Sequence, residues 1–439
     1  MVSDVVSLPE EPLDSPPQPA SSPAVTPPVG EAPGAAEPVM VGFPPSPAHR
    51  WRRGSWQTAP ENRWSFRHLR EVVPTAKVRR GSGAGVPLPA GPALDLRLPV
   101  PTAEGERPLR DVLHDTVTDG FLVLHEGRLV AEWYAEGYGR HDTHVLMSVS
   151  KSVVGSLVGI LVERGAVDVE APVDRYVPEL ADAGYGGARV RDVLDMRSGI
   201  AFSEAYTDPD AEVRRIEEVI GWAPRTDEAL PTSMYDYLAT LRAKRGHGDA
   251  FEYRSCETDL LGWVCERATG TRLPTLLSDL LWSRLGTEDD MDAAVDPAGA
   301  VFADGGLACS LRDLARFGRM ILDYGQAGGE QVVPGSWIED TLAGAEDSRT
   351  VFADSGHGEW LPGGAYRNQF WVPEASSRTL MCMGIHGQLV WIDRVHRLVV
   401  VKQSSWPRAQ DLTRLTATFA AVRAVTEHLT TATERVTSG

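Results

Sequence analysis

Lysine is nearly missing from this chain. Of 43 basic residues in 439, only Lys77, Lys151, Lys244 and Lys402 are lysines. Arginine carries the rest of the positive charge. Each remaining lysine therefore invites a chemical explanation, because an amine can give up its proton in a protein and a guanidinium cannot. Cysteine is equally scarce. Cys256, Cys265, Cys309 and Cys382 form no CxxC pair and have no histidine at zinc-ligand spacing, which argues against a disulfide framework or a zinc site. They read as buried thiols in a reducing compartment. No apolar run approaches the roughly 20 residues needed to span a bilayer, and the first 48 residues lack the basic-then-apolar pattern of an export signal. The expected location is the cytoplasm. No HExxH, P-loop or clean GxGxxG occurs, so neither a metal nor a cofactor is expected.

Positive charge is also lacking overall. The net charge is −18 and the pI near 5.1, a balance that repels phosphate backbones and anionic lipid. Neither nucleic acid nor membrane is expected as a partner. The one local concentration of arginine (Arg50, Arg52, Arg53, Arg79, Arg80) has no recognition motif around it. The sequence leaves open whether the chain pairs as a homodimer.

What is present points to a globular enzyme. Hydrophobic residues make up 42% and charged residues 24%, enough for a sizeable core. Residues 1–48 hold 13 of the 32 prolines and six acidic residues, and are expected to be a disordered tail. Residues 49–105, with Trp51, Trp56, Trp64 and Phe66 among Pro and Gly, read as an irregular lead-in wrapped on the surface. Phe121 to Tyr134 reads as two strands around a Glu-Gly turn. Ser148 to Arg164 has Val153, Val154, Leu157, Val158, Leu161 and Val162 at helical spacing, with Gly165 as the stop. Further helices are expected over Val190–Met196, Val213–Trp222, Met234–Lys244, Thr258–Ala268, Ser310–Tyr324 and Gln410–Leu429. Strands return at Phe370–Val372, Thr379–Ile385, Leu389–Asp393 and Leu398–Gln403. Strands near both ends with helices between them predict an α/β (α+β) fold. It would have one antiparallel sheet flanked by helices (106–165 and 285–430), a helical domain (166–284) inserted into it, and a short tail (431–439).

The chemistry starts at Ser148-Val-Ser-Lys151. Residues i and i+3 share one helical face, so a hydroxyl and an amine sit one turn apart. At a helix N-terminus the amides point outward and the dipole is positive, so a serine there can attack while its own N–H helps hold the oxyanion. For the lysine to accept a proton it must be neutral, and burial is expected to lower its pKa toward working pH. The plain alternative is a serine cap followed by a surface lysine. About 100 residues later, Tyr253-Arg-Ser255 precedes a helical run. Such a Tyr-x-Ser element after Ser-x-x-Lys is similar to the second element of class C β-lactamases and related DD-peptidases. Their third element, a strand with Lys-Thr-Gly, is replaced here by Met383-Gly-Ile-His-Gly-Gln388.

Taken together, Asn62–Phe66, Ser148–Lys151, Leu194–Gly199, Tyr253–Ser255, Gly305–Ala308 with Asp313–Phe317, and Gly384–Gln388 carry a family resemblance. From about Trp51 to Ala424 the chain resembles the nylon-oligomer (6-aminohexanoate-dimer) hydrolases and their carboxylesterase-like relatives within the class C β-lactamase fold. The resemblance implies a serine hydrolase acting on a small amide or ester through an acyl-enzyme. Ser148 would be the nucleophile, Lys151 and Tyr253 the proton-transfer pair, and the Ser148 and Ile385 amides the oxyanion hole. It further implies that Tyr206, on a loop, donates to the scissile amide and that Glu217 meets a substrate ammonium. Trp222, Ser255, Phe302, Asp304, Trp371 and His386 would line the pocket. Glu217, within Arg214-Arg-Ile-Glu-Glu218, reads equally as a solvated helix face, and His386 as a structural histidine. The loop Ser404–Asp411 lacks a histidine that the nylon-oligomer enzymes carry there, which leaves the substrate open. A β-lactamase or DD-peptidase, and a non-catalytic binding protein on the same fold, are the rival readings.

Overall fold

The computed structural model describes residues 39–437, and the proline-rich stretch expected to be disordered lies for the most part outside them. The main sheet has seven strands, named here in chain order: β1 (Thr118–His125), β2 (Arg128–Tyr134), β3 (Ala365–Arg367), β4 (Phe370–Val372), β5 (Thr379–Gly384), β6 (Gln388–Asp393) and β7 (Leu398–Ser404). Their spatial order is β3-β4-β5-β6-β7-β1-β2, with every pairing antiparallel. Strand β7 joins the two ends of the chain, for Val400 pairs with Trp391 on one side and Val123 on the other. The expected antiparallel sheet, built from strands near both termini, is therefore observed.

Period-two alternation decides which side chain goes to which face. Leu122, Leu124, Val399 and Val401 enter the main core, and Phe121, Val123, Leu398 and Val400 enter a second core on the opposite face. Five helices matter for the site: α1 (Val149–Glu163), α2 (Glu212–Val219), α3 (Cys256–Thr269), α4 (Leu311–Leu322) and α5 (Leu412–Thr437). Helix α4 covers the first face and α5 the second. The β1–β2 hairpin turns through Glu126 and Gly127, both at positive φ (50° and 73°), the conformation a two-residue hairpin loop needs.

Two features differ from the sequence reading. A second, four-stranded sheet joins Thr75–Val78, Met291–Ala294, Leu307–Cys309 and His144–Val145. Its strands are only two to four residues long, too short for a repeating pattern to register. The lead-in is also less peripheral than its composition suggests: Trp56 and Phe66 are buried in the main core, and Trp56 donates its indole N–H to the Trp222 carbonyl at 2.8 Å. Among the described residues no helix is long and apolar enough to cross a membrane.

Helix α1 is apolar nearly all round and is buried from Val149 to Leu161, as expected of a helix enclosed by the fold. Gly155 allows its close approach to the β3–β4 turn. A Cβ there would collide with the Asn368 carbonyl and come within 2.8 Å of Gln369 Cβ. In an open helix Gly→Ala gains about 0.8–1 kcal/mol. Here the clash is with backbone rather than with the far end of a flexible side chain, and overpacking costs on the order of 1–3 kcal/mol. Gly155→Ala is therefore expected to lower the thermal unfolding midpoint, read by calorimetry.

Candidate active site

Helix α1 starts one residue after Ser148, and Met147 before it holds a left-handed φ of 47°. That conformation is costly for a residue with a Cβ, and it persists only where the surroundings enforce it. Three segments enforce it: the helix, the end of β5 and the small sheet. A Cβ on Gly384 would come within 2.8 Å of the Leu146 carbonyl, so strand β5 ends against the nucleophile turn. Just beyond, His386 takes a second left-handed φ, 61°. Neighbouring amides are spent elsewhere: Val149 bonds Leu146 O at 3.2 Å, Ser150 bonds Met147 O at 2.9 Å and His386 bonds Ala409 O at 2.8 Å.

The Lys151 amine is fully buried among acceptors. Nζ lies 3.0 Å from Ser148 Oγ, 3.1 Å from Ser255 Oγ and 2.9 Å from the Asp304 carbonyl, with the Asp304 carboxylate 3.6 Å away. Three acceptors match the three N–H groups of an ammonium. The Tyr253 phenol is within electrostatic reach of the Ser148 side chain, which pulls its pKa down against burial, and its ring lies 5.4 Å from Nζ. Trp371 stacks on that ring at 5.3 Å and 22°, fixing the phenol. Ser148, Lys151, Tyr253, Ser255, Asp304 and Trp371 thus form one cluster, drawn from α1, the start of α3, the loop between the Met291–Ala294 and Leu307–Cys309 strands of the small sheet, and β4.

The electrostatics correct one expectation. Burial by itself pushes the Lys151 pKa down. The Asp304 carboxylate, then Tyr253, Glu204 and Asp259, outweigh it and hold the amine above the ordinary lysine value. In the resting site the amine is protonated, not neutral. Burial also raises the acids around it. Asp259 is pushed well up by burial and by the charge of Asp304, and Asp304 and Glu204 are raised by burial against the pull of Lys151. Burial raises the Tyr253 phenol, with Lys151 and Ser148 opposing.

Tyr206 lies on the half-buried loop ahead of α2 and gives its hydroxyl proton to Glu204 at 2.7 Å. The other Glu204 oxygen accepts the Ser255 amide. Arg214 donates through Nε and Nη2 to the Tyr206 carbonyl at 2.9 and 2.6 Å, and its Nη1 meets both Glu217 oxygens at 3.1 and 3.0 Å. Glu217 is 8% exposed and also accepts from Gln57 at 3.0 Å, so it is neither a solvated face nor an unpaired charge. Trp222 and Phe302 stack edge-to-face at 4.6 Å in the core beside it. His386 is not brought into the cluster. It is buried against Phe66, bonds the Trp406 carbonyl through Nδ1 at 2.7 Å, and burial lowers its pKa to about 4. It is a neutral structural histidine.

Glu204, Asp259 and Arg214 were missed from the sequence. Asp259 and Arg214 stand inside runs already singled out and Glu204 is two residues from Tyr206, but a carboxylate two residues from a tyrosine carries no signal until the loop is folded.

A Ser-x-x-Lys pair whose amine is buried and has a phenol beside it, set where a helix N-terminus meets an antiparallel sheet, defines a serine hydrolase of the penicillin-recognising type. The comparisons agree: the chain belongs to the beta-lactamase family, which matches residues 110–423. It is 44% identical to the 6-aminohexanoate-dimer hydrolase of Paenarthrobacter ureafaciens over 358 residues, 80% of this chain and 88% of that one. Among solved structures it is similar to a candidate 6-aminohexanoate-dimer hydrolase from Bacillus anthracis, with TM-score 0.79, 26% identity, and 86% of this chain and 97% of that one covered. A family VIII carboxylesterase shares the fold at TM-score 0.53 and 17% identity, over 72% of this chain and 96% of that one.

Proposed function

We propose that this serine hydrolase cleaves small linear amides and esters by acyl transfer to Ser148. The observation that carries the reading is the Ser148 hydroxyl held 3.0 Å from the Lys151 amine, with the Tyr253 ring 5.4 Å from that amine. The Ser148 oxygen attacks the carbonyl carbon as its proton passes to the Lys151/Tyr253 pair. That pair then returns a proton to the leaving amine or alcohol, and water cleaves the acyl-enzyme by the reverse route. We assign the oxyanion hole to the Ser148 and Ile385 amides, supported by the close abutment of β5 on the nucleophile turn. Trp222, Phe302 and Trp371 supply apolar wall, and Arg214 sets the charge that Glu217 presents. Four buried free thiols favour a reducing, cytoplasmic setting. A panel of p-nitrophenyl esters, p-nitroanilides, linear aminohexanoate oligomers and a chromogenic cephalosporin tests the reading. Turnover of the cephalosporin alone would move the protein to the lactamase side of its family.

The pH dependence follows from the charges. The pair must lose one proton before it can take the one from Ser148, and both groups lie above their ordinary values. For an uncharged ester, kcat/KM is expected to climb from neutral into alkaline pH. Asp304 is the largest influence raising Lys151, so Asp304→Asn should move that climb to lower pH. A profile that stays in place would remove Asp304 from the tuning of the base.

A further inference from the structure

Strand β5 runs out at Gly384, and a single turn, Ile385-His386-Gly387, carries the chain into β6. One neighbour of that turn is the nucleophile turn: a Cβ on Gly384 would come within 2.8 Å of the Leu146 carbonyl and 3.1 Å of Met147 Cβ. The other is the segment after β7. The His386 amide donates to the Ala409 carbonyl at 2.8 Å, and the Trp406 amide donates back to the His386 carbonyl at 3.2 Å. The Trp406 indole covers Gly387 so closely that a Cβ there would strike it.

Inside this frame His386 keeps its left-handed φ of 61°, an unfavourable conformation for a residue with a Cβ. Its side chain adds a tie of its own, for Nδ1 lies 2.7 Å from the Trp406 carbonyl. A carbonyl only accepts, so the ring proton is on Nδ1 and the imidazole donates. The same carbonyl oxygen accepts from Asn62 Nδ2 at 2.9 Å, and the Trp406 indole N–H donates to the Thr116 carbonyl at 2.7 Å. Asn62 and His386 are both buried, and the His386 ring stands edge-on to Phe66 at 5.0 Å and 74°. The lead-in, the residues before β1 and the segment after β7 thus converge on one turn beside the nucleophile.

We infer that His386 is a positioning residue for the oxyanion hole: its imidazole, sharing the Trp406 carbonyl with Asn62, holds the turn that sets the Ile385 amide beside Ser148. The inference rests on the assignment of that amide to the hole and of acyl transfer to Ser148. A donor of this kind works only when it is fixed in place before charge develops on the substrate oxygen, and a slack turn would forfeit that advantage without closing the pocket.

Two substitutions of similar shape separate the hydrogen bond from mere filling of space. His386→Asn keeps a donor where Nδ1 stands and tolerates a left-handed φ; His386→Leu does neither. For a p-nitrophenyl ester, His386→Leu is expected to lower kcat about 10²-fold with KM little changed, the low end of what loss of one oxyanion donor costs. His386→Asn should recover kcat to within about fivefold of the unsubstituted protein. An arylboronic acid, which becomes a tetrahedral anion when Ser148 Oγ adds to boron, should lose affinity in step with kcat, while affinity for the free carboxylic acid product stays put. If His386→Leu yields no folded protein, Asn62→Ala, which removes the second donor from the same carbonyl, carries the test. It should lower kcat and boronate affinity together by a smaller factor, about three- to tenfold. An unchanged kcat, an asparagine variant as slow as the leucine one, or a fall in kcat with boronate affinity intact would overturn the inference. Absence of any Ser148-dependent turnover in the unsubstituted protein would instead overturn the reading beneath it.

Discussion

Ser148→Ala is expected to leave a folded protein with ester and amide turnover reduced by at least about 10⁴-fold, because no other group replaces the attacking oxygen. The change removes one atom from a half-buried position at the start of α1, where Lys151 keeps Ser255 Oγ and the Asp304 carbonyl as partners. The unfolding midpoint should therefore move little. Any turnover that survives should come from substrate held beside the amides proposed for the oxyanion hole and attacked by water. A fluorophosphonate probe followed by peptide mapping gives the independent check, with label on Ser148 in the unsubstituted protein and none in the variant. Label appearing on another serine of a fully active variant would dismiss the nucleophile assignment.

Lys151→Met should combine a comparable loss of activity with a loss of stability that Ser148→Ala does not show. The amine is the nearest counter-charge to Asp304, and Asp259 and Glu204 also lie within its electrostatic reach. Removing one member of a buried pair leaves the other charge uncompensated and typically costs about 3–5 kcal/mol. The sign with pH is fixed by the acid left behind. Burial already raises the Asp304 pKa, and without Lys151 it rises further. A raised acid favours the folded state while it is protonated, and that support is lost as pH climbs through its folded pKa. The variant should thus be least compromised in mild acid and most compromised in mild alkali. Adding Asp304→Asn should restore much of the stability and none of the activity. Denaturant titrations of the single and double variants at two pH values decide it; equal stability of the single variant at both would show that Asp304 is not the charge left stranded.

These two results separate jobs that the site gives to one side chain. In the proposed mechanism Lys151 moves protons, and in the structure it also lies as counter-charge to an acidic pocket inside an enclosed core. The protonated resting amine follows from the second job. In the proposed mechanism activity depends on the minor population of the site from which one proton has already departed, which is why the alkaline climb and its response to Asp304 bear on that mechanism as directly as the loss of Ser148 does.

The sequence by itself determined the frame. Apolar runs across Phe121–Tyr134 and Leu398–Gln403, the apolar spacing after Ser148 and the Glu126-Gly127 turn are local signals, and strands, helix and hairpin all formed where they indicate. Ser148 and Lys151 were legible for the same reason, since i and i+3 on a helix are neighbours whatever the rest of the chain does. Tyr253, Tyr206 and Ile385 came from resemblance, because no local rule relates them to a serine a hundred or more residues away. Only the folded chain decided the charge on Lys151. Residues 204, 259 and 304 lie on three separate segments, and their fields on one amine add only after packing has removed the water between them. The same holds for Glu217 and His386, whose partners Gln57 and the Trp406 carbonyl lie far away in the chain or beyond a turn. Sequence order places a charge along a chain; its pKa depends on distance and burial, and those exist only in three dimensions.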